Sequence, residues 1–175
     1  ERNFDYGPSF STPPIVFLDL DGVLNYSRTN SEIHLEKELV QQFRKLWEKI
    51  HFKIVLSTFW RGFKDYISYI LSRKGFPADQ IIGTTSLQGN HATNNASDTS
   101  RKRCDDILEY LEANPHIKRF VILDDRQSAS NDILSQHFVH TSSNKGLTGK
   151  KANEAFKILN EKRWEYGKKK GNTKL

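Results

Sequence analysis

The chain has 175 residues, of which 36% are hydrophobic and 27% charged, which predicts one globular domain with a sizeable core and little room for a second module. No apolar run approaches the roughly 18 residues of a membrane span and no stretch has the form of a signal peptide, although a chain that does not begin with methionine leaves a removed leader open. The net charge of +6 is carried by the segment from Lys150 onward, where nine basic residues face three acidic ones.

The first element is the most informative. Ile15-Val16-Phe17-Leu18 reads as a buried strand, and Asp19-Leu20-Asp21-Gly22 places two carboxylates at its carboxyl end, where parallel α/β sheets bind their ligands. Gly22 allows the sharp turn that keeps both acids at the rim of the sheet. A plain Asp-Gly turn is the structural alternative. Tyr26 to His34 is polar and reads as a flap or short hairpin. Asn25-Tyr-Ser27 and Asn95-Ala-Ser97 match the glycosylation pattern, but matches this short arise by chance.

Leu35, Leu39, Val40, Phe43, Leu46, Trp47 and Ile50 recur at helical spacing and predict an amphipathic helix. Phe52 to Leu56 is a second strand, ending in Ser57-Thr58-Phe59-Trp60-Arg61. Phe63, Tyr66, Ile67, Ile70 and Leu71 form a second helical stripe that stops near Gly75 and Pro77. Ile81-Ile82-Gly83 is a weak third strand. Ser86 to Ser100 is a long polar loop, and loops of that length are usually functional or disordered.

Arg101, Lys102 and Arg103 precede a third helix marked by Cys104, Ile107, Leu108 and Leu111 and closed by Asn114-Pro115. The lone Cys104 has no internal disulfide partner, which suits a reducing intracellular compartment, and its helical position suggests packing. Phe120 to Leu123 is a late strand ending in Asp124-Asp125, whose structural alternative is to cap a helix beginning near Ser128. His137 to His140 predicts a last strand, and Ala152, Ala155, Phe156 and Leu159 a final helix. The basic end carrying Trp164 and Tyr166 is either a surface that follows a phosphate backbone and stacks a base or a solvated helix end with a frayed tail.

Strands alternating with helices imply a parallel sheet with helices on both faces. If the strands ending at Asp19 and Asp124 are neighbours, Asp19, Asp21, Asp124 and Asp125 meet at one edge, and their repulsion calls for a cation. An all-oxygen donor set of hard character favours Mg2+ over zinc, and magnesium commonly bridges to a phosphate. A strand-end hydroxyl at Ser57 or Thr58 and a cation from Arg101, Lys102 or Arg103 would suit the remaining phosphoryl charge.

This order of motifs resembles the haloacid dehalogenase-like (HAD) superfamily of phosphohydrolases. Asp19-Leu20-Asp21-Gly22-Val23-Leu24 stands as its first motif, Thr58 (with Ser57 adjoining) as its second, a basic residue opening a helix as its third, and Asp124-Asp125 as its fourth. More narrowly, Ser57-Thr58-Phe59-Trp60-Arg61, the run Arg103 to Leu111, Val121 to Asp125 and Gly146-Leu147-Thr148 are similar to the phosphatase domain of Swiss Army Knife RNA repair proteins. On that alignment Arg103 takes the third position with Lys102 as an alternative, and Tyr110 stands where Trp is expected.

The stretches from Asn25 to His51 and from Gly62 to Lys102 are mostly consumed by core elements and leave room for a minimal cap domain or none. The resemblance implies a Rossmann-like three-layer α/β/α sandwich with a mainly parallel sheet, as residues 15–160 between an N-terminal extension, 1–14, and a basic tail, 161–175. It implies Asp19 as nucleophile, Asp21 as general acid and base, and Thr58, Ser57, Arg103 or Lys102 as phosphate ligands. It also implies Mg2+ held by Asp19, the Asp21 carbonyl, Asp124 and Asp125. Trp60 and Arg61 are either substrate contacts or a packed aromatic and an ion-pair partner. An uncapped site suits macromolecular ends, so terminal phosphates of RNA or DNA are the expected substrate, with phosphoprotein or a nucleotide as rivals. A silent phosphate- or nucleic-acid-binding module is the alternative of another class.

Overall fold

The computed structural model describes residues 12–26, 32–86 and 102–165. Five strands, β1 (Ile15–Leu18), β2 (Lys53–Leu56), β3 (Ile81–Thr84), β4 (Phe120–Asp124) and β5 (Phe138–His140), form one sheet in the order β3-β2-β1-β4-β5. Every pairing is parallel. The helices are α1 (Lys37–Ile50), α2 (Lys64–Arg73), α3 (Arg103–Ala113) and α4 (Gly149–Glu161). This is the parallel sheet expected from the alternation of elements and the Rossmann-like α/β architecture that the resemblance implies.

The pleat sorts the core into two layers, because successive strand side chains point to opposite faces. Val16, Leu18, Ile54, Leu56, Val121 and Leu123 pack against Val40, Phe43 and Leu46 of α1, Ile67 and Leu71 of α2, and Ala152, Ala155 and Leu159 of α4. Ile15, Phe17, Val55, Phe120 and Ile122 face Cys104, Ile107 and Leu111 of α3. Central strands buried on both faces must be apolar throughout, which is why β1 and β4 show no alternation. Cys104 is buried in the second layer, and burial raises the pKa of its thiol, in line with a packing role.

Connectivity sets where a ligand can sit. From β1 the chain moves one way along the sheet, to β2 and β3, and then returns through α3 on the other face to β4, on the far side of β1. The strand order therefore reverses between β1 and β4, and such reversals open a crevice at the carboxyl ends of the strands. Leu18 is level with both Leu56 and Leu123, so Asp19, Ser57 and Asp124 lie side by side at that edge.

The structure departs from one expectation, the phase of α2, and decides against two alternatives that the sequence left open. No α-helix begins near Ser128; a single 3-10 turn, Gln127–Ala129, follows the second acidic pair. Phe63 and Tyr66 do not face the core, since the core phase of α2 belongs to Ile67 and Leu71. Trp164 does not extend a stacking surface toward the acids: its backbone N–H donates to the Lys118 carbonyl at 2.7 Å and its ring packs on Phe120 and His137. Phe120 opens β4 and Asp124 closes it, about 13 Å apart at the rise of a strand. Tyr166, Arg101, Asn95 and nearly all of the loop from Ser86 to Ser100 lie outside the described residues. Among the described residues, no helix is long and apolar enough to cross a membrane.

Candidate active site

Asp19 and Asp124 continue the ladders of β1 and β4 and are both buried. The Asp19 amide donates to the Leu123 carbonyl at 3.0 Å, which seats its carboxylate beside that of Asp124. Each acid also accepts a nearby backbone N–H, Asp19 Oδ1 from Leu20 and Asp124 Oδ1 from Arg126, both at 2.8 Å. Oxygens of Asp19, Asp124 and Asp125 lie within 4.8 Å of one another. The Asp21 carboxylate is not part of that group.

Arg103, the first residue of α3, enters the cluster from the opposite face. Its Nη1 donates to Asp19 Oδ2 at 2.7 Å and to Asp124 Oδ2 at 2.5 Å. Burial works against the Arg103 charge, but the two carboxylates outweigh it and hold its pKa above the ordinary value. Burial and the neighbouring Asp19 charge push Asp124 up to about 7 despite Arg103, and the same two causes raise Asp125. Lys102, the alternative third-motif residue, is exposed one position earlier, where its backbone N–H donates to Asp105 Oδ2.

Asp21 is held apart. Its Oδ1 accepts from Asn25 Nδ2 at 2.8 Å and its Oδ2 from the Trp60 indole N–H at 2.9 Å. Asn25 is buried, accepts the Gly22 N–H and donates to the His34 carbonyl, so it ties the turn after β1 together. Sequence reasoning missed this residue. Its signal was position: an amide side chain at the end of the turn after the acidic pair can satisfy several backbone groups at once.

Gly22 has a φ of +71°, and a Cβ there would come within 2.5 Å of Asp125 Cγ. The Gly22 carbonyl accepts from the buried Thr141 hydroxyl at 2.7 Å, and the Val23 carbonyl accepts from the Leu147 N–H at 2.8 Å. The Gly146-Leu147-Thr148 segment thus braces the acidic turn, and Thr148 also caps α4 through Lys151. Glycine is required at 146 as well, where φ is +59° and a side chain would run into Leu39 and Val23.

After β2, Thr58 is buried, and its Oγ1 accepts the Trp60 backbone N–H at 3.3 Å, leaving the hydroxyl proton for another acceptor. Ser57 Oγ is buried with no hydrogen-bond partner among the described residues. Arg61 is buried and faces inward. Its guanidinium donates to the Thr58 carbonyl at 3.0 Å and twice to the Ser86 carbonyl, at 3.1 and 2.9 Å, and lies 3.8 Å from Asp106 of α3. Burial lowers the Arg61 pKa against the raising effect of Asp106. Arg61 thereby links β2, the segment after β3 and the helix that carries Arg103, whereas Trp60 lies beside Asp21.

The donor chemistry fits a hard divalent cation. Three carboxylates supply only oxygen, and Asp125 Oδ1 is buried with no hydrogen-bond partner among the described residues, an orphan acceptor that a metal or its bound water would satisfy.

Comparison with known proteins agrees with this arrangement. The family model of the HAD domain in Swiss Army Knife RNA repair proteins matches residues 15–152. The chain belongs to that family. The matched span runs from the start of β1 into α4 and contains all four motif positions. No curated protein and no solved structure matches the chain.

Proposed function

We propose that this HAD-family chain is a Mg2+-dependent phosphatase that works through an aspartyl-phosphate on Asp19 and removes terminal phosphates from nucleic acid. The observation that carries the proposal is the meeting of Asp19, Asp124 and Asp125 oxygens within 4.8 Å beside the Arg103 guanidinium. Membership of a family of RNA repair domains supports the choice of substrate.

Asp19, Asp124 and Asp125 would hold the metal together with the Asp21 carbonyl, and its contribution is charge neutralisation and alignment of the phosphate with the nucleophile. Asp19 attacks phosphorus, and the bond to the leaving oxygen breaks as the phosphoryl group passes to its carboxylate. Asp21, poised by Asn25 and Trp60, gives a proton to the leaving oxygen and then takes one from the water that hydrolyses the acyl phosphate. The Thr58 hydroxyl and Arg103 bind the equatorial oxygens, whose negative charge persists throughout transfer. Ser57 Oγ adjoins them as a further donor.

Phosphate release from terminally phosphorylated RNA, DNA and peptide, with Mg2+ or chelator, tests this reading. Turnover is expected to need Mg2+, to favour an oligonucleotide, and to vanish in an Asp19→Asn variant with an unchanged circular dichroism spectrum. Chelator-insensitive turnover, or full activity in that variant, sinks the mechanism. Preference for the phosphopeptide sinks the substrate assignment alone.

A further inference from the structure

The second motif and the 3-10 turn that carries it set two exposed phenylalanines, Phe59 and Phe63, on either side of Trp60, which is half-buried and packs one side against the core. Phe59 is 55% and Phe63 58% exposed, although both belong to the 3-10 turn that follows the phosphate-binding hydroxyls. Each flanks Trp60, with ring centroids 5.4 Å away for Phe59 and 6.2 Å for Phe63. The rings meet at 84° and 54°, so neither phenylalanine covers the indole by parallel stacking. Exposed aromatic faces kept beside one another lose apolar burial that turning inward would recover, and a ligand-binding surface is one reason for such a patch.

The hydrogen bond from Trp60 to Asp21 fixes where this ledge stands in the reaction. On the mechanism above, Asp21 protonates the leaving oxygen, and Trp60 Nε1 lies 2.9 Å from its Oδ2. The atoms that follow the leaving oxygen must therefore pass the indole. When the leaving group is the hydroxyl end of a nucleic acid strand, its sugar lies at Asp21 and its base reaches the aromatic ledge. Flat π-faces recognise a base of any sequence, which suits an enzyme that acts on ends.

We infer that Phe59, Trp60 and Phe63 form the leaving-group subsite of this enzyme and stack the terminal nucleobase of the phosphorylated strand. The inference rests on the phosphatase reading, and its test separates the two. An oligonucleotide carrying 2-aminopurine beside its terminal phosphate is bound to the Asp19→Asn protein, where no turnover intervenes. Its fluorescence is expected to fall on binding, and to fall much less with the Asp19→Asn protein that also carries Phe59→Ala and Phe63→Ala.

In turnover by the otherwise native enzyme, an end with a base should exceed an abasic end in kcat/KM by on the order of tenfold. That ratio should approach one in the Phe59→Ala, Phe63→Ala variant, which circular dichroism should show to be folded. Turnover with a ratio near one in the native enzyme and no quenching overturns the ledge and leaves the phosphatase intact. Quenching that the double variant abolishes, in a protein that releases no phosphate, keeps the base contact and removes the enzyme. A ledge whose loss weakens only phosphopeptide turnover overturns the nucleobase assignment.

Discussion

The Arg103 guanidinium donates to Asp19 Oδ2 at 2.7 Å across 84 residues of sequence, joining the first turn of α3 to the end of β1. The same nitrogen serves Asp124, so one cation offsets part of the repulsion in a cluster of three carboxylates. Five consequences of this arrangement and its surroundings are open to measurement.

Arg103→Ala leaves Asp19 and Asp124 buried without their cation, and breaking a buried pair from one side costs about 3–5 kcal/mol. Urea unfolding in chelator should show a loss of that order, and Mg2+ should restore part of it. Phosphate release should fall by roughly 10²–10³-fold even with Mg2+ present, because a donor to the transferring group is gone.

Mg2+ itself should stabilise the native protein. Binding to the folded state alone contributes about 2.7 kcal/mol at a free concentration of 100 Kd, which for a chain of this size raises Tm by roughly 5–10 °C. Thermal unfolding with Mg2+ against chelator should show this shift, and Asp124→Asn should remove most of it by deleting a charged ligand.

Gly22→Ala forces a Cβ into the Asp125 side chain at a φ of +71°. Strain at positive φ and the overlap together should cost about 2 kcal/mol or more. The Mg2+-induced Tm shift should shrink as well, because Asp125 must move. Native stability with native metal response in this variant would contradict the close approach.

Arg61→Met deletes the donors to the Thr58 and Ser86 carbonyls and removes a cation 3.8 Å from the buried Asp106. Urea denaturation should show a loss of about 3 kcal/mol or more. Arg61→Lys should recover little, since one ammonium cannot reproduce the planar fork.

His137 supplies a pH dependence. Its Nδ1 is 3.0 Å from the Phe120 carbonyl, which can only accept, so this nitrogen carries the proton. Burial holds its pKa below the ordinary 6.5, so the unfolded chain takes up a proton at a pH where the folded protein does not. The stability contributed by neutral His137 is complete above about pH 6.5 and is lost as the pH falls through that value. Between pH 7.5 and 5.5 the native protein should lose stability more steeply than His137→Phe, by up to about 1.4 kcal/mol per pH unit. Parallel urea titrations of the two proteins would show it.

Much of this is legible in the amino-acid sequence. A short unbroken apolar run closed by acids reads as a strand buried on both faces with its polar end at the rim, and the chain contains two, Ile15–Leu18 and Phe120–Asp124. Their order, with Thr58 and a basic helix start between them, carried the family. The phase of α2 was less legible: Phe63, Tyr66, Ile67, Ile70 and Leu71 fit one stripe by spacing, and the preceding 3-10 turn then leaves Phe63 and Tyr66 outside. Trp164 in a basic end resembles a stacking residue by composition, whereas its partner Phe120 stands at the opposite edge of the sheet.

The sequence by itself determined the parallel α/β layering and the carboxyl-edge address of Asp19, Asp21, Asp124 and Asp125, because periodicity and strand ends are local properties of the chain. Only the tertiary structure decided that Arg103 and not Lys102 meets the acids, that Asn25 and Trp60 share Asp21, and that Arg61 turns inward to Ser86 and Asp106. Those choices depend on strand register and helix phase between segments tens of residues apart. A rotation of about 100° per helical residue separates neighbouring side chains, and packing selects between them.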